Sequence, residues 1–306
     1  MEKTPNRAVR FPPKKILVAL DLSEASLPAW EEGQQLAKEF GAKVEGIYVQ
    51  PWIYSGLKAG MPSSTATARA SSEALEGLRS RLGLSADVGV VPGEVEETIL
   101  SWGKDLGFDL IVMGTHGRTG LQRAIQGSVA ETIVYHSLIP VLVVRGRPTP
   151  IKNVLVPVNF ETYAMAGLQA AGYAAHAFKA RLTALHVLDA ALADDLEAIK
   201  NAKSRLAASL ARLAPQVRRA AHPAMRLGFG KVDEQIVSAG ENSDLIVMAA
   251  HHKGFLNDTV LGTTIERVMR HSTKPVLAIP PGIAARKSEN GAPVRLHQHR
   301  KAVLAR

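Results

Sequence analysis

Apolar positions along the chain fall into short unbroken runs, and between the runs they recur with the spacing of a helix. Ile16–Leu20 is one such run, bounded by Lys14-Lys15 and Asp21. A run of that length reads as a buried strand. From Ser23 to Phe40 the period changes, and Leu27, Trp30, Leu36 and Ala37 share one face of a helix. Ser23 is placed to start that helix and Gly41 to stop it. Val44–Val49 predicts a second strand. A Pro/Ser/Thr-rich loop over 61–67 and a helix over 68–82 follow. Asp87–Val91 predicts a third strand and Glu94–Leu106 a third helix. Glu94, Glu96 and Glu97 lie in its first turn, where acids suit the macrodipole and need no catalytic role. Leu110–Met113, Ser128–His136 and Val141–Val144 complete the pattern as strand, helix and strand. Trp30, Trp102 and the Leu/Ala stripes are expected in the core. Apolar strands alternating with helices predict a parallel sheet covered on both faces. Right-handed crossovers make it doubly wound, with ligands outside the carboxyl ends of the strands.

The pattern occurs twice. KKILVALDLSE (14–24) matches KNVLVPVNFET (152–162), and VVPGEVEETI (90–99) matches LGFGKVDEQI (227–236). DLIVM recurs unchanged at 109–113 and 244–248, and IPVLVV (139–144) matches KPVLAI (274–279). The offsets of 138, 137, 135 and 135 residues preserve order and spacing. The chain is therefore a tandem duplication with its joint near Arg145–Pro150. The expected units are residues 1–146, 151–282 and a basic tail, 283–306. The two fifth strands are apolar edges that need cover.

Composition narrows the classes. The 306 residues suit two domains, and 46% hydrophobic content gives each a core. There is no cysteine, so disulfides, thiolate metal sites and Cys nucleophiles are excluded, and a reducing, cytoplasmic setting is expected. The basic N-terminus has no apolar run behind it, and nowhere do about 18 apolar residues run together. Neither a secretory signal nor a membrane span is expected. The net charge of +9 resides in the ends: +4 over residues 1–15 and +5 over 283–306, against 26 basic and 26 acidic residues between them. These tails read as solvated ends. They lack interleaved aromatics, so nucleic acid is not expected as a partner.

The chemistry is concentrated after the fourth strand. The first repeat there reads Gly114-Thr115-His116-Gly117, and Gly127-Ser128 follows at a helix start. Glycine allows close backbone approach, and unpaired amides at a helix start attract an anion. Ser128 adds a hydroxyl and Arg118 a cation. Phosphate cradling is one reading; turn geometry with Ser128 as a simple cap is the other. A P-loop is excluded because no Gly-x4-Gly-Lys-Ser/Thr occurs. A dinucleotide fingerprint is excluded because ALDLSEAS lacks Gly-x-Gly-x-x-Gly.

Gly114-x2-Gly117-x9-Gly127-Ser128, with ILVALDLSE, PGEVEETI and IPVLVV around it, resembles the ATP-binding motif of the universal stress protein family. The resemblance covers nearly all of 14–146 and, more loosely, 151–281. It implies an α/β fold of two Rossmann-like (adenine nucleotide alpha hydrolase-like) domains. Each would be a five-stranded parallel sheet with helices on both faces. It implies ATP, with or without Mg2+, in the first domain. Asp21 would lie near adenine and ribose, and Val49 would offer backbone to the adenine. Met113, Gly114 and Gly117 would line the ribose and phosphates, and Gly127, Ser128 and Val129 would hold phosphates. In this family the fifth strands pair across a dimer; here they would pair within one chain, and association of two chains is left open. The second repeat departs from the motif: Asp21 becomes Asn159, Gly114 becomes Ala249, Gly117 becomes His252, and Phe255 replaces Gly120. Only Gly262-Thr263 survives, so ATP binding there is expected to be weak or absent.

Other groups carry less. His251-His252 with His186 could suggest a metal, but adjacent extended residues point opposite ways, and ordinary loop residues are expected. His136 and His271 sit at equivalent helix ends, where caps are expected. No nucleophile elbow and no general base near the motif are evident, so at most slow ATP hydrolysis is expected. Two alternatives remain: a scaffold that binds no nucleotide or another ligand, and an ATP-dependent adenylating enzyme. The latter class carries Ser-Gly-Gly-x-Asp-Ser after strand one, where this chain has ALDLSEAS.

Overall fold

The computed structural model describes residues 11–21, 26–51, 73, 76–77, 79–80, 88–114, 129–250 and 263–280. The first half runs β1 (Lys15–Leu20), α1 (Leu27–Phe40), β2 (Lys43–Gln50), β3 (Val88–Pro92), α2 (Val95–Asp105), β4 (Leu110–Gly114), α3 (Val129–His136), β5 (Val141–Val144). Of the helix predicted over 68–82, residues 73, 76, 77, 79 and 80 are described, and they are helical. The second half runs β6 (Asn153–Pro157), α4 (Thr162–Ala177), β7 (Arg181–Leu188), α5 (Leu196–Ala211), α6 (Pro215–Ala221), β8 (Ala224–Phe229), α7 (Val232–Gly240), β9 (Leu245–Ala249), α8 (Thr263–His271), β10 (Val276–Ile279).

The ten strands form one sheet, in the order β3-β2-β1-β4-β5-β10-β9-β6-β7-β8. Within each half every pairing is parallel. The halves join where β5 meets β10 antiparallel, Leu142 opposite Leu277. Each fifth strand thus covers the other's edge, as the duplication requires. One core lies under α1 and α4, the other under α2, α3, α7 and α8, and both run unbroken across the join.

Helix α1 begins at Leu27, four residues later than expected. Pro28 fixes the first turn, and the Ser26 hydroxyl donates to the Asp21 carbonyl at 2.9 Å. Ser23 lies outside the described residues. Gly41 ends the helix at φ 62, as expected.

The identical DLIVM segments do more than supply an apolar strand. Asp109 Oδ2 accepts from the backbone N–H groups of Lys14 and Lys15 at 2.9 and 3.1 Å. Asp244 Oδ2 accepts from those of Lys152 and Asn153, both at 2.9 Å. Each aspartate ties the start of its central strand to the strand beside it. Ser137 and Ser272 likewise close equivalent turns before β5 and β10.

Side chains fasten the join at two further places. Arg270 on α8 grips Glu131 on α3 through two bonds, 2.9 and 3.3 Å, and also pairs with Glu266 at 2.6 Å. Arg145 donates to the carbonyls of Met269 and Arg270 at 3.2 and 3.0 Å. Ahead of β1, β2 and β7, the rings of Phe11, Phe40 and Phe178 meet with centroids 5.0–5.6 Å apart.

Candidate functional site

In each half the chain leaves its first strand in one direction and returns on that strand's other side. In the first half this switch point lies between β1 and β4, where such sheets open a crevice. Leu20 pairs with Tyr48, so Asp21, just past the end of β1, lies beside Val49, which is still paired with Val91 in β3. Ala19 pairs with Met113, so Gly114 ends the strand on the far side of the same opening. The Val49 side chain is buried in the core under α2 and α3, leaving its backbone as the part it can present. Met113 fills the same core next to α3. Val129 opens α3 and is partly exposed. The structure thus brings Asp21, Val49, Met113 and Gly114 to one opening. Gly117, Arg118, Gly127 and Ser128 lie outside the described residues.

Gly114 has a packing role that its sequence context did not show. Strand alternation turns position 114 toward α1, where Ala29 is fully buried. At the equivalent place in the second half the two residue types are exchanged. Ala249 ends β9, and Gly167 stands on α4. A Cβ added to Gly167 would lie 3.2 Å from the Ala249 Cβ and 3.1 Å from its nitrogen. In the first half the corresponding positions carry Ala29 and Gly114, so the methyl group stands on the helix there and on the strand end in the second half. The methyl of Ala249 therefore faces α4, where Gly167 leaves it room.

The second half's counterpart of the Asp21 corner is built differently. Asn159 Oδ1 accepts from the Glu161 backbone at 3.1 Å, and its amide bonds the Tyr163 hydroxyl. Phe160 takes a left-handed φ of 65 and lays its ring on His186, with Arg205 above it at 4.2 Å. His186 Nδ1 bonds the Val158 carbonyl at 2.7 Å. Burial lowers the His186 pKa and nearby Arg205 adds to this, against the Val158 bond. His186 is thus committed to local packing, while His251 and His252 lie outside the described residues. His136 and His271 occupy the last turns of α3 and α8. Among the described residues no group of three or more metal-binding side chains comes together.

The universal stress protein family matches this chain twice, over residues 12–145 and 150–280. The chain belongs to the universal stress protein family. A universal stress protein of Methanocaldococcus jannaschii is 36% identical over 141 residues, covering 43% of this chain and 82% of that protein. Universal stress protein A homolog 2 of Coxiella burnetii is 31% identical over 139 residues, covering 43% and 94%. A solved universal stress protein from Archaeoglobus fulgidus aligns over 87% of this chain and 96% of its own, with TM-score 0.60 and 20% identity. That likeness shows the two-unit α/β fold. No helix among the described residues is long and apolar enough to cross a membrane.

Proposed function

We propose that the first half, residues 1–146, binds ATP at the opening between β1 and β4. The nucleotide then acts in the cytoplasm as a conformational or signalling ligand of a stress response. One observation carries the reading. Asp21, Val49 and Gly114 flank the switch point of the sheet, and the chain between Gly114 and α3 bears Gly117, Arg118, Gly127 and Ser128. The Asp21 carboxylate suits ribose hydroxyls and the Val49 backbone suits the adenine edge. Met113, Gly114 and Gly117 would line the ribose and phosphates. Gly127, Ser128 and Val129 would present amides to the phosphates at the start of α3, with Arg118 as a counter-charge and Mg2+ as a further one. The second half, 151–282, would hold ATP weakly or not at all, since His252 replaces Gly117 and Asn159 is engaged in its own turn. A ligand shifts a conformation only by binding its states unequally.

Mass spectrometry of nucleotide retained by the purified chain tests the reading. ATP is expected with the native protein and is expected to be lost in Gly117→Val, whose Cβ and branched side chain restrict the backbone. Protein that neither retains nor binds ATP would overturn it.

A further inference from the structure

The two halves differ on one surface where their backbones agree. Leu106 and Leu138 are each 43% exposed, the first just past α2 and the second shortly before β5. Their counterparts, 135 residues further on, are Glu241 and Thr273. The backbone around both pairs is bonded alike. Leu106 donates to the Trp102 carbonyl as Glu241 donates to that of Val237, and Ile111 donates to the Pro140 carbonyl as Ile246 donates to that of Pro275. The turns that carry Leu138 and Thr273 are closed by the same serine bonds, from Ser137 and Ser272, so the turn does not require leucine. In the second half the pair is in contact, the Thr273 hydroxyl donating to Glu241 Oε1 at 3.0 Å. The same placement sets two leucines side by side in the first half, turned partly to solvent.

The chain leaving each fifth strand supplies the contrast. Beyond β5, Arg145 donates to the Met269 and Arg270 carbonyls in the last turn of α8, and the Lys152 N–H then donates to Asp244. The linker between them passes along the end of the second half that carries Thr273 and Glu241, and Arg145, Arg147 and Thr149 make it polar. Beyond β10 the same route leads along the first half. Ala278 pairs with Val141, and continuing that antiparallel register sets buried Pro280 level with buried Ile139, next to Leu138. Pro280 is the counterpart of Arg145, so the residues after it correspond to the linker. In sequence they are apolar: Ile283, Ala284 and Ala285 stand where the linker has Pro148, Thr149 and Pro150. A polar linker goes with a polar pair in one half, and an apolar sequence with two leucines in the other.

We propose that Leu106 and Leu138 form a docking surface for this chain's own residues 283–285, with Ile283 as the anchor. The branched side chain would cover apolar area that the leucines otherwise expose to water. A segment tethered this close meets the surface at an effective concentration on the order of millimolar, ahead of a separate partner. Leu106 and Leu138 stand at the amino ends of β4 and β5, whereas the ATP opening lies at the carboxyl ends of β1 and β4. Docking therefore starts the basic stretch Arg286–Arg306 on the side of the first half away from that opening. The proposal does not depend on ATP binding.

The chain has no cysteine, so Ala284→Cys accepts a single nitroxide label. The test is the electron paramagnetic resonance spectrum of that label in the full chain. An immobilised spectrum, independent of protein concentration, is expected. Leu106→Glu/Leu138→Thr, the pair that the second half carries on the same backbone, should lose the immobilised component while keeping a cooperative melt. Ile283→Ser should lose it as well, with the leucines intact. A mobile label in the native sequence, or an immobilised one that both variants leave unchanged, overturns the proposal. Immobilisation that grows with protein concentration, together with a dimer by light scattering, places a second copy on the surface and also overturns it.

Discussion

Gly114 shows how one residue can satisfy two demands that the sequence does not separate. Its place in a glycine-rich loop pointed to phosphate approach; its place in β4 turns it toward α1, where the second half's counterparts are Gly167 and Ala249. The exchange of Ala29/Gly114 for Gly167/Ala249 predicts strong coupling between the pair. Gly114→Ala alone should destabilise the chain by about 1–3 kcal/mol through overpacking. Ala29→Gly in addition should restore most of that loss, measured as a double-mutant cycle in urea. Because the added methyl faces α1, the double variant should bind ATP within a few-fold of the native chain. Glu32 is a second case. It lies on the buried face of α1, 2% exposed, where the other copy has Ala170. Burial, reinforced by Glu39, pushes its pKa up from 4.5 to about 7. The folded chain thus keeps a proton that the unfolded chain releases, so stability falls as pH rises from about 4.5 to 7 and then levels off. Glu32→Gln should remove that slope and be more stable at pH 8 by at most about 3 kcal/mol, read from denaturation curves at pH 5 and 8.

At the scale of elements, the strands were legible to within a residue or two because apolar runs bounded by turn residues leave little choice. Helix α1 was misplaced at its start because Ser23 resembles a cap, whereas Pro28 decides where the first turn can form. The DLIVM aspartates were legible as repeated residues but not as clamps, since their partners lie about 95 residues away. The grip of Arg270 on Glu131 spans 139 residues and had one faint signal: Arg270 stands where the first repeat has Tyr135. That substitution makes the α3–α8 contact one-sided, as suits two unlike halves of one chain. Arg270→Met should cost about 2 kcal/mol by removing both bonds that the arginine makes to the half-buried Glu131. Adding Glu131→Met should recover only part of it, because Glu266 still loses its pairing with Arg270. Thermal unfolding of the single and double variants checks both.

For the whole molecule, duplication and the antiparallel meeting of β5 with β10 turn two edge-bearing sheets into one sheet with two shared cores. Tandem order and the apolar fifth strands made this arrangement readable from the sequence. The same duplication makes the central functional claim quantitative, since one half keeps the glycine loop and the other replaces it. Calorimetric titration of the full chain with ATP and Mg2+ is the most direct measurement. One nucleotide per chain, abolished by Gly117→Val and unaffected by Asn159→Ala, is the predicted result. No binding, two equivalent sites, or a single site that survives Gly117→Val and disappears with Asn159→Ala would contradict it.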